Sequence, residues 1–72
     1  MSSNALLVQF GKRLTKLRES KGMNISEFAA HTGMSRGHLS ELEHGKREPG
    51  LLTLQTIAAG LETSISKLLS GL

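Results

Sequence analysis

The chain has 72 residues, enough for one small domain, and it contains no cysteine, tryptophan, tyrosine or aspartate. These absences exclude a disulfide framework, a cysteine-based metal site and a catalytic triad that uses aspartate. The N-terminus lacks the charged region of a signal peptide, and no apolar stretch approaches the roughly 20 residues of a membrane span. We therefore expect a cytoplasmic protein, and one small enough to gain stability from association with a second copy.

The charge is unevenly distributed along the chain. Nine basic and six acidic side chains give a net charge of +3, and the sequence pI is about 9.8. Eight of the nine basic residues precede Pro49, and Lys67 alone follows it. A basic half followed by a leucine-rich half with little charge predicts one face that binds a polyanion and one that self-associates.

The first helix is predicted from about Ala5 to Lys21, with Asn4 as a candidate N-cap and Gly22 as the residue that ends it. Its apolar stripe follows spacings of three and four residues: Leu7, Phe10, Leu14 and Leu17. Three basic side chains lie largely off this stripe, either as solvated charges or as phosphate contacts: Lys12, Arg13 and Lys16.

Residues 25–44, ISEFAAHTGMSRGHLSELEH, predict two short helices joined by a tight turn. Asn24 and Glu27 have the spacing of a capping box, which favours a helix start at this point. Gly33 supplies the positive φ that the turn needs, and Ser35 caps the second helix. The second helix then has a buried stripe at spacing three: Leu39 and Leu42.

The last part of the chain predicts two further helices after the loop at 45–50. The fourth helix is expected from about Leu51 to Leu61, with these side chains inward: Leu51, Leu54, Ile57, Ala58 and Leu61. Ser64 is expected to cap the last helix, whose apolar residues are Ile65, Leu68, Leu69 and Leu72.

The spacing of the central motif carries a family resemblance. Ala29 allows close helix contact, Gly33 follows four residues later, and Leu39 and Leu42 follow at the buried positions. Residues 43–49 also match the pattern Glu-x-Gly-Lys-x-x-Pro. From about Phe10 to Leu69, the chain resembles the lambda-repressor-like (XRE-type) helix-turn-helix DNA-binding family.

This resemblance implies an all-α, compact five-helix domain over residues 1–72. The helix-turn-helix would lie at 25–44 and the dimerisation half at about 51–72. Glu62 stands where the family usually has the glycine that ends the fourth helix, which blurs that boundary. The resemblance also pairs Arg18 with Glu43 as a structural ion pair between the first helix and the recognition helix.

In a helix-turn-helix, the N-terminal part of the second helix enters the major groove. With Leu39 and Leu42 inward, the expected base contacts are Arg36, Gly37, His38, Ser40 and Glu41. The Arg36 fork can bond guanine O6 and N7 together, although a phosphate contact is the alternative. Glu41 either accepts from a cytosine amine or is a surface charge. The expected phosphate contacts are Asn24, Ser35, His44, Lys46 and Arg47.

Apolar residues of the C-terminal half exceed what one amphipathic stripe can bury. We therefore expect an isologous dimer interface formed by Leu52, Ile65, Leu69 and Leu72. No metal site is expected, because His38, Glu41 and His44 lack the i, i+4 spacing that places two ligands on one face.

The predicted function is a transcriptional regulator that binds double-stranded DNA as a homodimer on a palindromic operator. The run from Arg36 to Glu43 resembles the recognition helix of restriction–modification controllers, and a prophage-type regulator also fits. The alternatives are an antitoxin that neutralises a toxin by protein contact and represses its own operon, or a pure protein-interaction module. We expect no enzyme activity, cofactor, small-molecule ligand or membrane partner.

Overall fold

The computed structural model describes residues 3–72, with side chains described from Ala5 onward. Five helices follow in order: α1 Ser3–Ser20, α2 Ile25–Thr32, α3 Arg36–Glu43, α4 Leu51–Gly60 and α5 Ile65–Leu68. No strand occurs in this range, so the predicted all-α, five-helix architecture is confirmed. Helix α1 begins two residues before the predicted start at Ala5, and the side chain of its candidate cap, Asn4, lies outside the described residues.

The core lies where the five helices meet. Helix α3 packs against α1 and α2, while α4 packs against α2 and α5. The largest fully buried side chains come from all five helices: Leu14, Phe28, Leu39, Leu42, Ile57 and Leu68. Burying a side chain of this size stabilises a fold by about 1.5–3 kcal/mol. The central position of α3 follows from this packing, because both of its leucines are fully buried.

Local hydrogen bonds set the start of α2 and the turn that follows it. Asn24 Oδ1 accepts from the Glu27 N–H at 2.8 Å, and a Glu27 carboxylate oxygen accepts from the Asn24 N–H at 2.9 Å. Gly33 ends α2 with φ 75°, and Ser35 Oγ then accepts from the His38 N–H at 3.1 Å. The predicted capping box, turn glycine and serine cap are therefore confirmed.

One core prediction is wrong. Leu51 was expected to face inward with Leu54 and Ile57, but it is 72% exposed. Leu51 is the first residue of α4, and the first apolar side chain of this helix that packs against the core is Leu54. Helical periodicity gives the side of a helix that faces the core, but not how far along the helix the core extends. Leu51 and Leu52 therefore form an exposed apolar pair.

The end of α4 is sharp although it lacks the usual glycine. Glu62 adopts a left-handed φ of 56°. Its N–H donates to Ala59 O at 3.0 Å, and the Thr63 N–H donates to Ala58 O at 2.9 Å. These two bonds form the Schellman arrangement that a glycine normally completes. A non-glycine residue in this conformation costs about 1–2 kcal/mol, so the helix end is formed at the expense of backbone strain.

The Arg13 side chain connects the first helix, α1, to the last helix, α5. Its Nε donates to Leu68 O and its Nη2 donates to Lys67 O, both at 2.7 Å. These carbonyls belong to the C-terminal end of α5, where a cation is favourable. The Arg13 side chain is therefore bonded to the protein and is not a fully solvated charge, whereas a phosphate contact at Arg13 stays a prediction. Arg13 ties α1 to α5.

Candidate nucleic-acid interface

Helix α3 has one buried face and one exposed face. Leu39 and Leu42 are fully buried, whereas the side chains predicted to contact bases lie on the exposed or partly exposed side. A shallow groove on this side is lined by Ser35, Gly37, His38, Ser40, Glu41 and Arg47. Arg36 is exposed at the first position of the helix and does not line this groove. The structure therefore brings four of the five predicted base contacts into one groove, with Arg36 at its helix start.

Gly37 has no structural reason to lack a side chain. A Cβ built at this position has no neighbouring atom within 4 Å, and its φ is not positive. A glycine inside a helix costs roughly 0.5–1 kcal/mol relative to alanine. Since neither packing nor backbone geometry in the free protein requires glycine, this position leaves room for a molecule that approaches the helix closely.

The end of α3 turns the chain back onto its exposed face. Gly45, with φ 70°, donates from its N–H to Leu42 O at 3.2 Å, and the Lys46 N–H donates to Glu41 O at 2.9 Å. These bonds form a Schellman motif. The motif places Arg47 beside Glu41, and Arg47 Nε donates to Glu41 Oε1 at 3.0 Å.

The predicted phosphate contacts fall on three elements. Asn24 lies at the start of α2, where its Oδ1 and N–H are both used in the capping box. Ser35 caps α3 with its hydroxyl oxygen. The others follow α3 as an exposed group: His44, Lys46 and Arg47. His44 Nδ1 donates to Ser40 O at 2.7 Å, which fixes the ring against the helix end.

Arg18 and Glu43 form an ion pair between α1 and α3. Arg18 Nε donates to Glu43 Oε2 at 2.7 Å, and Arg18 Nη2 donates to Glu43 Oε1 at 3.1 Å. The two side chains are only 10% and 6% exposed. Arg18 Nη1 also donates to Met23 O at 2.8 Å, in the loop between α1 and α2. The hydrogen bond to Glu43 raises the pKa of Arg18 and outweighs the opposing effect of burial.

Gly11 completes the contact between α1 and α3 and was not predicted from the sequence. A Cβ at Gly11 would collide with the backbone carbonyl groups of Leu42 and Glu43. The signal available in the sequence was a glycine one residue after Phe10, inside a predicted helix. The close approach places Glu43 where Arg18 reaches it. Helix α1 therefore holds the buried side of α3.

The residues predicted to form a dimer interface differ in exposure. Leu52 is 75% exposed and Leu72 is 42% exposed. Ile65 and Leu69 are partly buried and pack against the core. Leu69 and Leu72 also line an apolar groove with other side chains of α1, α4 and the loop before α4, including Leu6, Phe10, Pro49 and Leu54. Exposed large apolar side chains occur on both halves of the chain: Leu6 and Val8 on α1, and Leu51, Leu52 and Leu72 in the C-terminal half.

Residues 3–72 contain neither a cluster of metal-ligating side chains nor a membrane-spanning helix. No group of three or more His, Cys, Asp or Glu side chains is placed to hold a metal ion in this range. No helix in the same range is both long and apolar enough to cross a membrane.

A protein family, individual relatives and solved structures all match this chain. The family model described as Helix-turn-helix (HTH_3) matches residues 14–68. The control protein C.MunI from Mycoplasma sp. is 38% identical over 68 residues, which cover 93% of this chain and 92% of that protein. The crystal structure of the restriction-modification controller protein C.AhdI from Aeromonas hydrophila superposes with a TM-score of 0.85 at 33% identity, covering 89% of this chain and 97% of that one.

A longer protein contains the same domain. An HTH_3 family transcriptional regulator from Vibrio cholerae superposes with a TM-score of 0.85 at 34% identity. The match covers 93% of this chain but only 38% of that chain. The domain therefore occurs both as nearly the whole of a small protein and as one part of a larger one.

Proposed function

Because this chain belongs to the helix-turn-helix family of DNA-binding transcriptional regulators, we propose that it acts as a cytoplasmic homodimer on a palindromic operator. It acts by binding DNA and not by catalysis. The observation that carries this proposal is the division of α3, with two leucines fully buried and a polar face exposed opposite them. Such a helix is held rigidly from one side and presents the other side to the major groove.

We further propose that the regulated genes are those of a restriction–modification system. The small proteins C.MunI and C.AhdI are named as control or controller proteins, and each matches this chain over more than nine tenths of its own length. The transcriptional regulator from Vibrio cholerae matches over 38% of its length. Each of these two matches covers nearly the whole of this chain and nearly the whole of the relative, which supports the controller class.

In this proposal, the start of α3 reads bases. Arg36 projects from the first turn and bonds guanine O6 and N7 with its fork. His38, Ser40 and Glu41 line the adjacent groove and contact neighbouring base edges. Gly37 lets the helix backbone approach the DNA, since the space in front of its Cα is open.

The surrounding groups bind phosphates and set the position of the helix. His44, Lys46 and Arg47 follow the end of α3, and Ser35 lies at its start. Asn24 contributes through its side-chain nitrogen, since its N–H and Oδ1 are used in the capping box. Contacts of this kind fix register and orientation but carry no sequence information directly.

The dimer interface in this proposal is isologous and lies on the C-terminal half. Leu52 and Leu72 contribute exposed apolar area, and Ile65 and Leu69 extend it from the edge of the core. A two-fold axis here keeps the basic half free and sets two copies of α3 about one helical turn, roughly 34 Å, apart.

Selection of bound sites from random double-stranded DNA tests the operator proposal. We expect enrichment of an inverted repeat whose half-site centres lie about 10 base pairs apart. Enrichment of a single site without symmetry would contradict the homodimer on a palindrome. Absence of any enriched sequence would contradict sequence-specific binding.

A charge substitution at Leu52 tests the dimer. Leu52→Glu places a carboxylate in the proposed apolar interface, so we expect sedimentation to show a monomer and circular dichroism to show an intact fold. Leu69 is left unchanged, because it packs against the core. Gln55→Glu is the matched control, since it adds the same charge at an exposed position of α4 without removing apolar area. A Leu52→Glu protein that remains dimeric would show that the dimer interface does not include Leu52.

A further inference from the structure

Two groups that the proposed function assigns to DNA are bonded to each other in the free protein. Arg47 Nε donates to Glu41 Oε1 at 3.0 Å, and the side chains are 50% and 49% exposed. Both side chains line the groove on the exposed face of α3. DNA that occupies this groove would therefore meet an internal ion pair.

The backbone places these two side chains together. Gly45 turns the chain at the end of α3, and the Lys46 N–H donates to the backbone oxygen of Glu41 itself. The residue after Lys46 therefore starts directly beside Glu41. The pairing does not depend on a distant element, and Arg47 can change partner without disturbing the core.

The Glu41 carboxylate is chemically similar to the phosphate that would replace it. Both are anions that accept hydrogen bonds from a guanidinium. A half-exposed ion pair is weak, since water and salt screen it. A DNA phosphate can therefore displace Glu41 from Arg47, but the displaced carboxylate then lies close to a polyanion.

We propose that Glu41 is a specificity-determining residue that competes with DNA for Arg47. On non-operator DNA, Arg47 exchanges Glu41 for a phosphate, and the freed carboxylate is repelled. On the operator, the freed carboxylate accepts from a cytosine N4 amine, which offsets the repulsion. The pair thus lowers affinity for non-operator DNA more than affinity for the operator. This inference rests on the proposed function of α3.

A double-mutant cycle on DNA binding tests the competition. Glu41→Gln, Arg47→Ala and the double variant are compared with the unchanged protein on random-sequence duplex DNA at several salt concentrations. Glu48→Gln is the matched control, because it removes one exposed negative charge from the loop that holds Arg47. Circular dichroism checks the fold of each variant.

We expect Glu41→Gln to bind random DNA about fivefold more tightly than Glu48→Gln does. The salt dependence of Glu41→Gln should be steeper than that of the unchanged protein, because no free carboxylate then offsets the charge that Arg47 brings to the phosphates. With Arg47→Ala already present, the gain from Glu41→Gln should be smaller, because Glu41 then has no arginine for which it competes and only its repulsion of DNA is removed. Operator affinity should rise less than affinity for random DNA, so the ratio between them should fall.

Three results would overturn the inference. Equal affinities of Glu41→Gln and Glu48→Gln would show that Glu41 does not compete. An unchanged gain in the Arg47→Ala background would show general repulsion in place of a shared partner. An equal gain on operator and random DNA would remove the role in specificity. If the unchanged protein does not bind duplex DNA, the proposed function fails first, so the two failures are distinguishable.

Discussion

Two glutamates on α3, two residues apart, each hold an arginine, and the two pairs differ in burial. Glu43 binds Arg18 through both carboxylate oxygens, and the two side chains are 6% and 10% exposed. Glu41 binds Arg47 through one oxygen, and both side chains are about half exposed. The chemistry of the pairs is the same. Their surroundings make the first a permanent link between helices and the second an exchangeable contact.

The difference shows what burial does to an ion pair. A buried charge that loses its partner is left without water to replace it, so separation is costly. An exposed charge regains water at once, so separation costs little. Helix α3 therefore carries one pair that fixes its position on α1 and one pair that other anions can replace.

The largest expected effect comes from breaking the buried pair. Glu43→Ala leaves Arg18 charged and buried, so we expect the free energy of unfolding to fall by about 3–5 kcal/mol. Glu41→Ala is the matched control two residues away and should cost about 1 kcal/mol or less. Urea denaturation measures both. Equal losses in the free energy of unfolding for the two variants would show that burial does not distinguish the two pairs.

The next effect concerns base recognition at the start of α3. Arg36→Ala should cost about 1–3 kcal/mol of operator binding and relax the selected sequence at one position per half-site. Lys46→Ala should instead weaken binding to all sequences similarly. Site selection with both variants measures this. If the selected sequence is unchanged by Arg36→Ala, Arg36 contacts only phosphate.

A smaller effect distinguishes two helical glycines, of which Gly11 contacts the backbone of α3 and Gly37 lies on the exposed side of α3. Gly37→Ala meets no neighbouring atom, so it should stabilise the free protein by about 0.5–1 kcal/mol while weakening DNA binding. Gly11→Ala collides with the backbone of α3 and should destabilise the fold. Denaturation and DNA titration measure the two quantities separately. A Gly37→Ala protein with unchanged DNA affinity would show that the open space is not used.

The sequence predicts the features of this fold that depend on local chemistry. The capping box at Asn24, the turn at Gly33 and the leucine stripe of α3 follow from side-chain types and spacing, and the structure confirms them. The exposure of Leu51 could not be predicted in this way. It depends on where the core ends along α4, which neighbouring helices decide.

The contacts that were not predicted from the sequence include two kinds, those between residues far apart in the chain and one pair formed across a turn. Arg13 bonds carbonyls 54 and 55 residues away, and no periodicity encodes such a pairing. Gly11 was visible only as a glycine inside a helix, without an indication of the helix it meets. The Glu41–Arg47 pair spans six residues and follows from the left-handed turn at Gly45. Spacing across a glycine-ended helix is therefore a usable signal for similar pairs.

The most direct test of the difference between the two ion pairs of α3 uses nuclear magnetic resonance. The arginine Nε–H signals are followed while operator DNA is added to isotope-labelled protein. The Arg18 signal should keep its position and its protection from solvent exchange, because both Glu43 oxygens stay bound to Arg18. The Arg36 and Arg47 signals should shift as DNA contacts form and as Arg47 leaves Glu41. An Arg18 signal that moves with DNA while the Arg47 signal stays in place would contradict the account.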